Sequence, residues 1–234
     1  MHFMGPLWQT FKTESIYQLT HVGRWLWKNR LIVLLSLGVF GLIAVFTVPH
    51  DKTWVKAARA SLPGAHGFAK GLSFWGDYPF IGLIPGLGLF LLGQKTSRLN
   101  LARFGLALLL ASSTAGLTTN MLRNSLGRPR PMAKVPDGLY GPSIKYKFHG
   151  SPSGHAGAAF GAATFVAVAL PPLALPALGF AASIGWSRVY LRAHHPTDVA
   201  FGALFGLWAG TGFGLLYRRR LTDGELTPVR TLER

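Results

Sequence analysis

Five long stretches of this sequence carry no charge, and that pattern constrains the fold more than any single motif. They cover residues 31–49, 78–94, 104–122, 156–187 and 199–217. A bilayer core of about 30 Å needs roughly 20 helical residues. Four of the runs fit one crossing each. The fourth in order holds 32 residues and Pro171, Pro172 and Pro176. As one straight helix it would reach about 48 Å, and its prolines break helices. It reads as two short helices joined by a tight turn. The sum is an all-α bundle of six membrane-crossing helices over residues 31–217. An interfacial or cytoplasmic lead-in (1–30) precedes it and a basic cytoplasmic tail (218–234) follows. Five such runs exceed what the core of a soluble chain of 234 residues could cover. The first run starts too late, and is too long, for a cleavable signal core.

Charge accounts for only 14% of the chain, and the sequence has no Cys. Disorder, a disulfide scaffold and a thiolate metal site are thereby excluded. The balance is strongly basic, with 24 Lys+Arg against 8 Asp+Glu. That calls for a polyanionic partner. The bases lie at the borders of the apolar runs rather than in one soluble patch, which favours membrane lipids and phosphorylated lipid substrates over nucleic acid.

Glycines support close helix packing. Gly202, Gly206, Gly210 and Gly214 form one stripe on the last helix, and Gly157 with Gly161 and Gly82 with Gly86 repeat the spacing. In the lead-in, Trp8, Phe11, Leu19, Val22 and Leu26 share one helical face, compatible with an amphipathic helix on the membrane surface or with a plain lead-in. Six crossings put both termini on one side. Lys12, Arg24, Lys28 and Arg30, then Lys95, Arg98 and Arg103, then Arg218, Arg219 and Arg220 mark that side as cytoplasmic.

Three polar segments interrupt the apolar pattern. They are Arg123–Pro131, Ser151–His155 and Ser187–Asp198. The turn at the prolines brings all three to the face opposite the termini. That face then holds Arg123, Arg128, Arg130, Arg188, Arg192, His155, His194, His195 and Asp198. Guanidinium forks suit phosphoryl oxygens. Ser153 and Gly154 open a helix, where free N–H groups favour an anion. Two histidines can divide the work of nucleophile and acid. Asp198, four residues after His194, is spaced to reach an imidazole and fix its tautomer. Only Asp77 and Asp198 border the crossings, so no carboxylate cluster suits Mg²⁺ or Ca²⁺, and the arginines oppose Zn²⁺. The expectation is catalysis without metal or cofactor.

These segments resemble the type 2 phosphatidic acid phosphatase family, whose pattern is K-x6-R-P, P-S-G-H and S-R-x5-H-x3-D. The second element stands intact as Pro152–His155. The third stands intact as Ser187, Arg188, His194 and Asp198. The first matches at Arg130-Pro131, with Arg123 in the Lys position. The resemblance implies a phosphohistidine mechanism with His194 as nucleophile, Asp198 supporting it and His155 as general acid and then base. Arg123, Arg130, Arg188, Ser153 and Gly154 would hold the phosphoryl group. Arg128, Arg192 and His195 fall outside the pattern and read as interface contacts that snorkel. The expected enzyme is a lipid phosphatase acting on undecaprenyl pyrophosphate, phosphatidate, phosphatidylglycerol phosphate or lipid A. A lipid phosphotransferase on the same fold, or a transporter or scaffold, are the rivals. In a bacterial host the site would face the periplasm or exterior, from the inner (plasma) membrane. Residues 132–150 overhang the site and are expected to shape headgroup choice.

Overall fold

A computed structural model describes residues 4–133 and 135–222. Among them there are nine α-helices and no strand: α1 (Met4–Lys28), α2 (Arg30–Thr47), α3 (Asp51–Ala60), α4 (His66–Trp75), α5 (Ile84–Lys95), α6 (Leu99–Leu126), α7 (Gly154–Ala169), α8 (Ala174–Tyr190) and α9 (Pro196–Thr222). Most of the tail expected at 218–234 lies outside the described residues.

Among the described residues three helical rods are long and apolar enough to cross a bilayer: Arg30–Ala60, Leu99–Leu126 and Pro196–Thr222. The first joins α2 to α3 through the turn Val48–His50. None of α2's residues is buried against protein, and Leu31, Ile32, Leu34 and Leu35 are all exposed. A helix that is apolar all round and unburied in its own protein belongs in lipid. The run at 78–94 forms the second arm of a bent pair. His66–Trp75 and Pro79–Lys95 meet at a bend of 54°, and the second arm opens with a π-turn at Pro79–Leu83. Pro79 lacks the N–H that would carry a straight ladder through the junction. The run at 156–187 does divide in two, α7 and α8, at Leu170–Leu173. Pro171 and Pro172 sit in the turn, whereas Pro176 is accommodated in the first turn of α8, where the missing N–H has no intrahelical partner to lose.

The centre of the molecule is α7, which touches α6, α8 and α9. Its apolar positions meet Phe213, Leu108 and Ile184 in the two core clusters around Phe165 and Ala159. The α7–α9 contact is glycine-made. A side chain at Gly206 would fall 2.6 Å from Phe160 Cβ and 2.7 Å from Gly161 N, and one at Gly210 would fall 2.7 Å from Gly161 O. These helices meet backbone to backbone, the arrangement that small residues at four-residue spacing permit.

The lead-in helix is part of this assembly. Phe11 meets Phe90 edge to face at 5.4 Å, and Val22 is buried with Phe165 and Phe213, with Leu26 packed beside it. Trp8 and Leu19 on the same face remain exposed. Glu14 receives Arg220 Nη1 at 2.7 Å and lies 3.7 Å from Arg103. This pins α1 to the end of the bundle formed by the start of α6 and the close of α9.

Gly206→Ala must push backbone against backbone and is expected to cost about 2 kcal/mol, read as a lowered unfolding midpoint in detergent. Gly179→Ala, with nothing within 4 Å of the added carbon, should leave the midpoint unchanged or raise it. Equal effects at the two positions would refute the backbone-contact reading.

Candidate active site

The three polar segments meet at the end of the bundle opposite the Glu14–Arg220 pair. α6 closes at Gly127, whose φ of +63° favours glycine. A side chain there would also collide with the carbonyl of Gly141. The chain then runs through Arg128 and Arg130 and returns along itself. Arg128 and Gly127 carbonyls accept from Gly150 and Tyr140, and Arg130 N–H donates to Lys147. Segment 139–150 is thus laced to segment 124–130. The start of α7 is tied to the start of α9 by Ser153 N–H donating to the Asp198 carbonyl at 2.9 Å.

Arg128 is the hub. Its Nη1 donates to Asp198 Oδ1 at 2.6 Å and Thr197 Oγ1 at 2.8 Å, and its Nη2 to Asp51 Oδ2 at 3.0 Å and Asp137 Oδ2 at 2.9 Å. Asp51 also accepts from Thr197 N–H at 3.1 Å and from the Thr197 hydroxyl. Asp51, Asp198 and Arg128 are all buried. Burial opposes the charge on Arg128, but Asp137, Asp198 and Asp51 together hold its pKa above the ordinary value. Arg128 is therefore not the snorkelling interface residue expected from its place outside the family pattern. The same holds for His195, which is 2% exposed. Arg192 is exposed, with a left-handed φ of 58°.

Arg123, Arg130 and Arg188 are arranged differently. Among the described residues none of them forms an ion pair with a carboxylate. Arg130 donates to the carbonyls of Tyr146 (3.1 Å) and Ala193 (3.2 Å) and lies 3.9 Å over the Tyr146 ring. Arg188 donates to Ser73 Oγ on α4. Arg123 Nη1 lies 3.5 Å from where a side chain on Gly154 would sit, at the open start of α7. The Nε atoms of Arg123 and Arg188 are buried without a hydrogen-bond partner among the described residues. Burial pulls the Arg130 pKa down to about 10, with positive Arg188 and Arg123 acting the same way against Tyr146 and Asp198. It stays charged at neutral pH. Three crowded cations without anions of their own form a cage for one.

His194 is fully buried beside this cage. Its Nδ1 lies 2.6 Å from the Gly150 carbonyl. A carbonyl only accepts, so Nδ1 carries the proton and Nε2 holds a lone pair. Among the described residues Nε2 has no hydrogen-bond partner. Burial first, then Arg130 and Arg188, hold the ring's pKa well below the ordinary imidazole value, against the Gly150 bond. The neutral, nucleophilic form is thereby favoured. The expected Asp198–His194 contact is replaced by this carbonyl. Asp198 instead accepts from His195 N–H (2.8 Å) and Nδ1 (3.2 Å), so it shapes the turn that carries His194.

His155, on the first turn of α7, meets Asp77 Oδ1 through Nε2 at 2.7 Å. Ser153 caps α7, accepting from Ala156 N–H at 3.4 Å. Asp77, Ser73 and Asp51 were not singled out from the sequence as site residues. Each contacts a site residue more than 70 positions away and sits in no motif. The faint signal was the scarcity of acids: with 8 Asp+Glu in the chain, a carboxylate at a helix border has a task. A cavity of about 340 Å³ is lined by Asp77, Asn120, Arg123, Gly154 and His155 and by the apolar Leu117 and Ala158.

A fold of apolar rods that gathers histidines and unpaired arginines at one end defines a membrane-embedded phosphoryl-handling protein. The chain belongs to the PAP2 superfamily, whose model matches residues 103–221. It is 27% identical over 210 residues to a lipid A 1-phosphatase of Rhizobium johnstonii, covering 82% of each chain, and 31% identical over 132 residues to a lipid A 1-phosphatase of Rhizobium etli, covering 54% of this chain and 56% of that one. Its fold is similar to the crystal structure of a transmembrane PAP2-type phosphatidylglycerolphosphate phosphatase from Bacillus subtilis, with a TM-score of 0.55, 24% identity, and 86% and 98% of the two chains covered.

The two kinds of arginine are separable by mutation. Arg128→Met strands buried carboxylates and should cost about 3 kcal/mol or more of stability. Arg123→Met removes an uncompensated cation, so the unfolding midpoint should hold or rise while phosphatase activity collapses. A destabilised Arg123→Met would contradict this division. A second expectation concerns His194. In ¹⁵N-histidine NMR of the detergent-solubilised protein, assigned with His194→Gln, its ring should remain neutral at pH 6.5 and protonate only below it. A midpoint at or above that pH would contradict the buried-base reading.

Proposed function

We propose that this chain, a membrane lipid phosphatase by its family and its relatives, removes a phosphate from a lipid headgroup through a phosphohistidine on His194. The lone pair of His194 Nε2 attacks phosphorus as the bond from phosphorus to the leaving oxygen breaks. His155, steadied by Asp77, gives its proton to that oxygen. Water then attacks the phosphohistidine, His155 takes the water's proton, and the phosphorus–Nε2 bond breaks to free inorganic phosphate. Arg123, Arg130, Arg188, the Ser153 hydroxyl and the Gly154 N–H hold the equatorial oxygens, whose charge grows in the transition state. Asp198 positions the His194–His195 turn. The observation that carries this reading is the unpaired nitrogen of His194 beside three arginines that have no carboxylate of their own.

The lipid tail enters at the cavity bounded by Leu117 and Ala158, on helix surfaces made for hydrocarbon. Of the candidate lipids, a lipid A phosphate is favoured, because lipid A 1-phosphatases are the activity named for both relatives. Six crossings are assigned to α2, the bent α4–α5 pair, α6, α7, α8 and α9, forming one catalytic membrane domain over residues 31–217. α1 and the close of α9 lie at the end away from the site, which supports cytoplasmic termini and a site facing the periplasm or exterior of an inner membrane.

Purified protein in detergent containing EDTA should release inorganic phosphate from lipid A and be inhibited by vanadate. Acid-free quenching with ³²P-labelled lipid should trap a base-stable, acid-labile protein label. His194→Ala should lose at least about 10³-fold in rate and all of the label. Full activity in that variant would refute the mechanism.

A further inference from the structure

A second cavity, of about 800 Å³, opens beside the catalytic cage. It contains neither His155 nor His194, nor Arg123 nor Arg188. It shares only Arg130 with the cage. One wall is α3, where Val55, Lys56 and Arg59 stand three, four and seven residues after Lys52 and so line one helical face with it. Val55 is buried, while the three bases project free and form no ion pair among the described residues. Arg192 approaches from the turn before His194, placed there by its left-handed backbone. Asp137 is the single acid on the wall among the described residues, and it is already taken by Arg128 Nε and Nη2.

His195 also lines this cavity. It is 98% buried, its Nδ1 donates to Asp198 and, among the described residues, its Nε2 has no hydrogen-bond partner. A buried ring nitrogen left unpaired on a cavity wall needs a polar group from elsewhere. The catalytic scheme does not use it. The mechanism likewise leaves Lys52, Lys56, Arg59 and Arg192 without work, although α3 is fastened to the site with care: buried Asp51, its first residue, is bonded to Thr197 and Arg128. The volume is that of a ligand site rather than of a single ion, and its remaining wall is largely proline, valine and alanine, surfaces suited to the apolar faces of a sugar.

We propose that this cavity binds a second phosphate on the substrate's own headgroup, so that the enzyme selects lipids whose headgroup carries two separated phosphates. The inference rests on the catalytic reading above and deepens it. Arg130 stands between the two compartments. The phosphate to be removed lies on its cage side. The retained phosphate lies among Lys52, Lys56, Arg59 and Arg192, with His195 Nε2 meeting the headgroup. The face from Lys52 to Arg59 extends about 10 Å, enough to follow a headgroup of more than one ring. Lysines there supply charge without strict geometry, and the arginines supply forks.

The test uses two matched synthetic disaccharide lipids in detergent micelles, one with a phosphate at each end and one with the scissile phosphate alone. Wild-type protein should prefer the bisphosphorylated lipid in kcat/KM by about tenfold or more, the value of one charge-assisted hydrogen bond. In Lys56→Gln/Arg59→Gln that preference should shrink to within about twofold, and Lys56→Arg should retain it. Both positions are exposed, so folding is not at stake, and the unfolding midpoint checks this. A preference absent from wild type, or unaltered in the double variant, overturns the proposal. Binding of the same two lipids to the inactive His194→Ala protein in nanodiscs separates the two readings. If neither lipid is hydrolysed by wild type yet the bisphosphorylated one binds about tenfold more tightly, the catalytic reading fails and the second site stands. If both are hydrolysed but bind equally, the second site fails alone. A third arm adds inorganic phosphate to the monophosphorylated lipid. Tighter lipid binding there would assign the cavity to a free anion and overturn the headgroup assignment.

Discussion

The site depends on the ion network in which one guanidinium holds three carboxylates drawn from three parts of the chain. Arg128 joins Asp51 at the start of α3, Asp137 in the returning loop and Asp198 at the start of α9. Taking such charges out of water costs several kcal/mol per ion, so the network is tolerable only when every lone pair and proton is matched. Here nearly all are. Asp51 is closed off by Thr197, and Asp198 by the amide and ring of His195. This demand for completeness has a geometric effect. If one strand of the knot were displaced, a buried charge would be stranded, so the loop, α3 and α9 can only assemble together. The carbonyl of Gly150 and the turn at 193–195 are carried into register by the same knot.

Against that saturated centre, the unsaturated groups acquire meaning. The chain has few acids, and among the described residues three of them sit on one structural arginine while Arg123, Arg130 and Arg188 pair with none. Preorganised charge that the protein itself does not neutralise is what a developing phosphoryl transition state needs. The free nitrogen of His194 follows the same logic. Its other nitrogen is occupied by a carbonyl rather than a carboxylate, which fixes the tautomer without adding a negative charge that would raise its pKa. A carboxylate does face the other histidine, through Asp77. Asp77 thus fixes the orientation of the His155 ring, while burial beside the arginines keeps the His194 ring neutral.

Much of this was legible in sequence because the relevant signals are local. Uncharged runs mark apolar rods, the Pro171–Pro172 pair marks the α7–α8 turn, and three motifs carry fixed spacings. What was illegible is long-range or depends on shape. Asp51 meets Thr197 across 146 positions, and nothing near it in sequence announces the contact. Asp77 stands at the 54° bend, and uncharged length alone does not distinguish a bent span from a straight one. Pro176 looks like a breaker, yet the first turn of a helix absorbs it. The four-residue step from His194 to Asp198 suggested a direct bond. The chain between them turns before α9 begins, so the carboxylate reaches His195 instead. Arg128 and His195 read as interface residues in the sequence because the family pattern omits them, and a pattern of reacting groups says nothing about the scaffold that holds them.

The rod formed by α2 and α3 has a consequence of scale. At 1.5 Å per residue its 31 residues measure about 46 Å, well beyond a hydrocarbon layer of about 30 Å. Its apolar lower part is anchored by the lipid, and its upper part stands above it like a mast. Because Asp51 lashes the mast to Arg128 and Thr197, the reach of the rod past a layer of acyl chains is built into the fold as a fixed dimension.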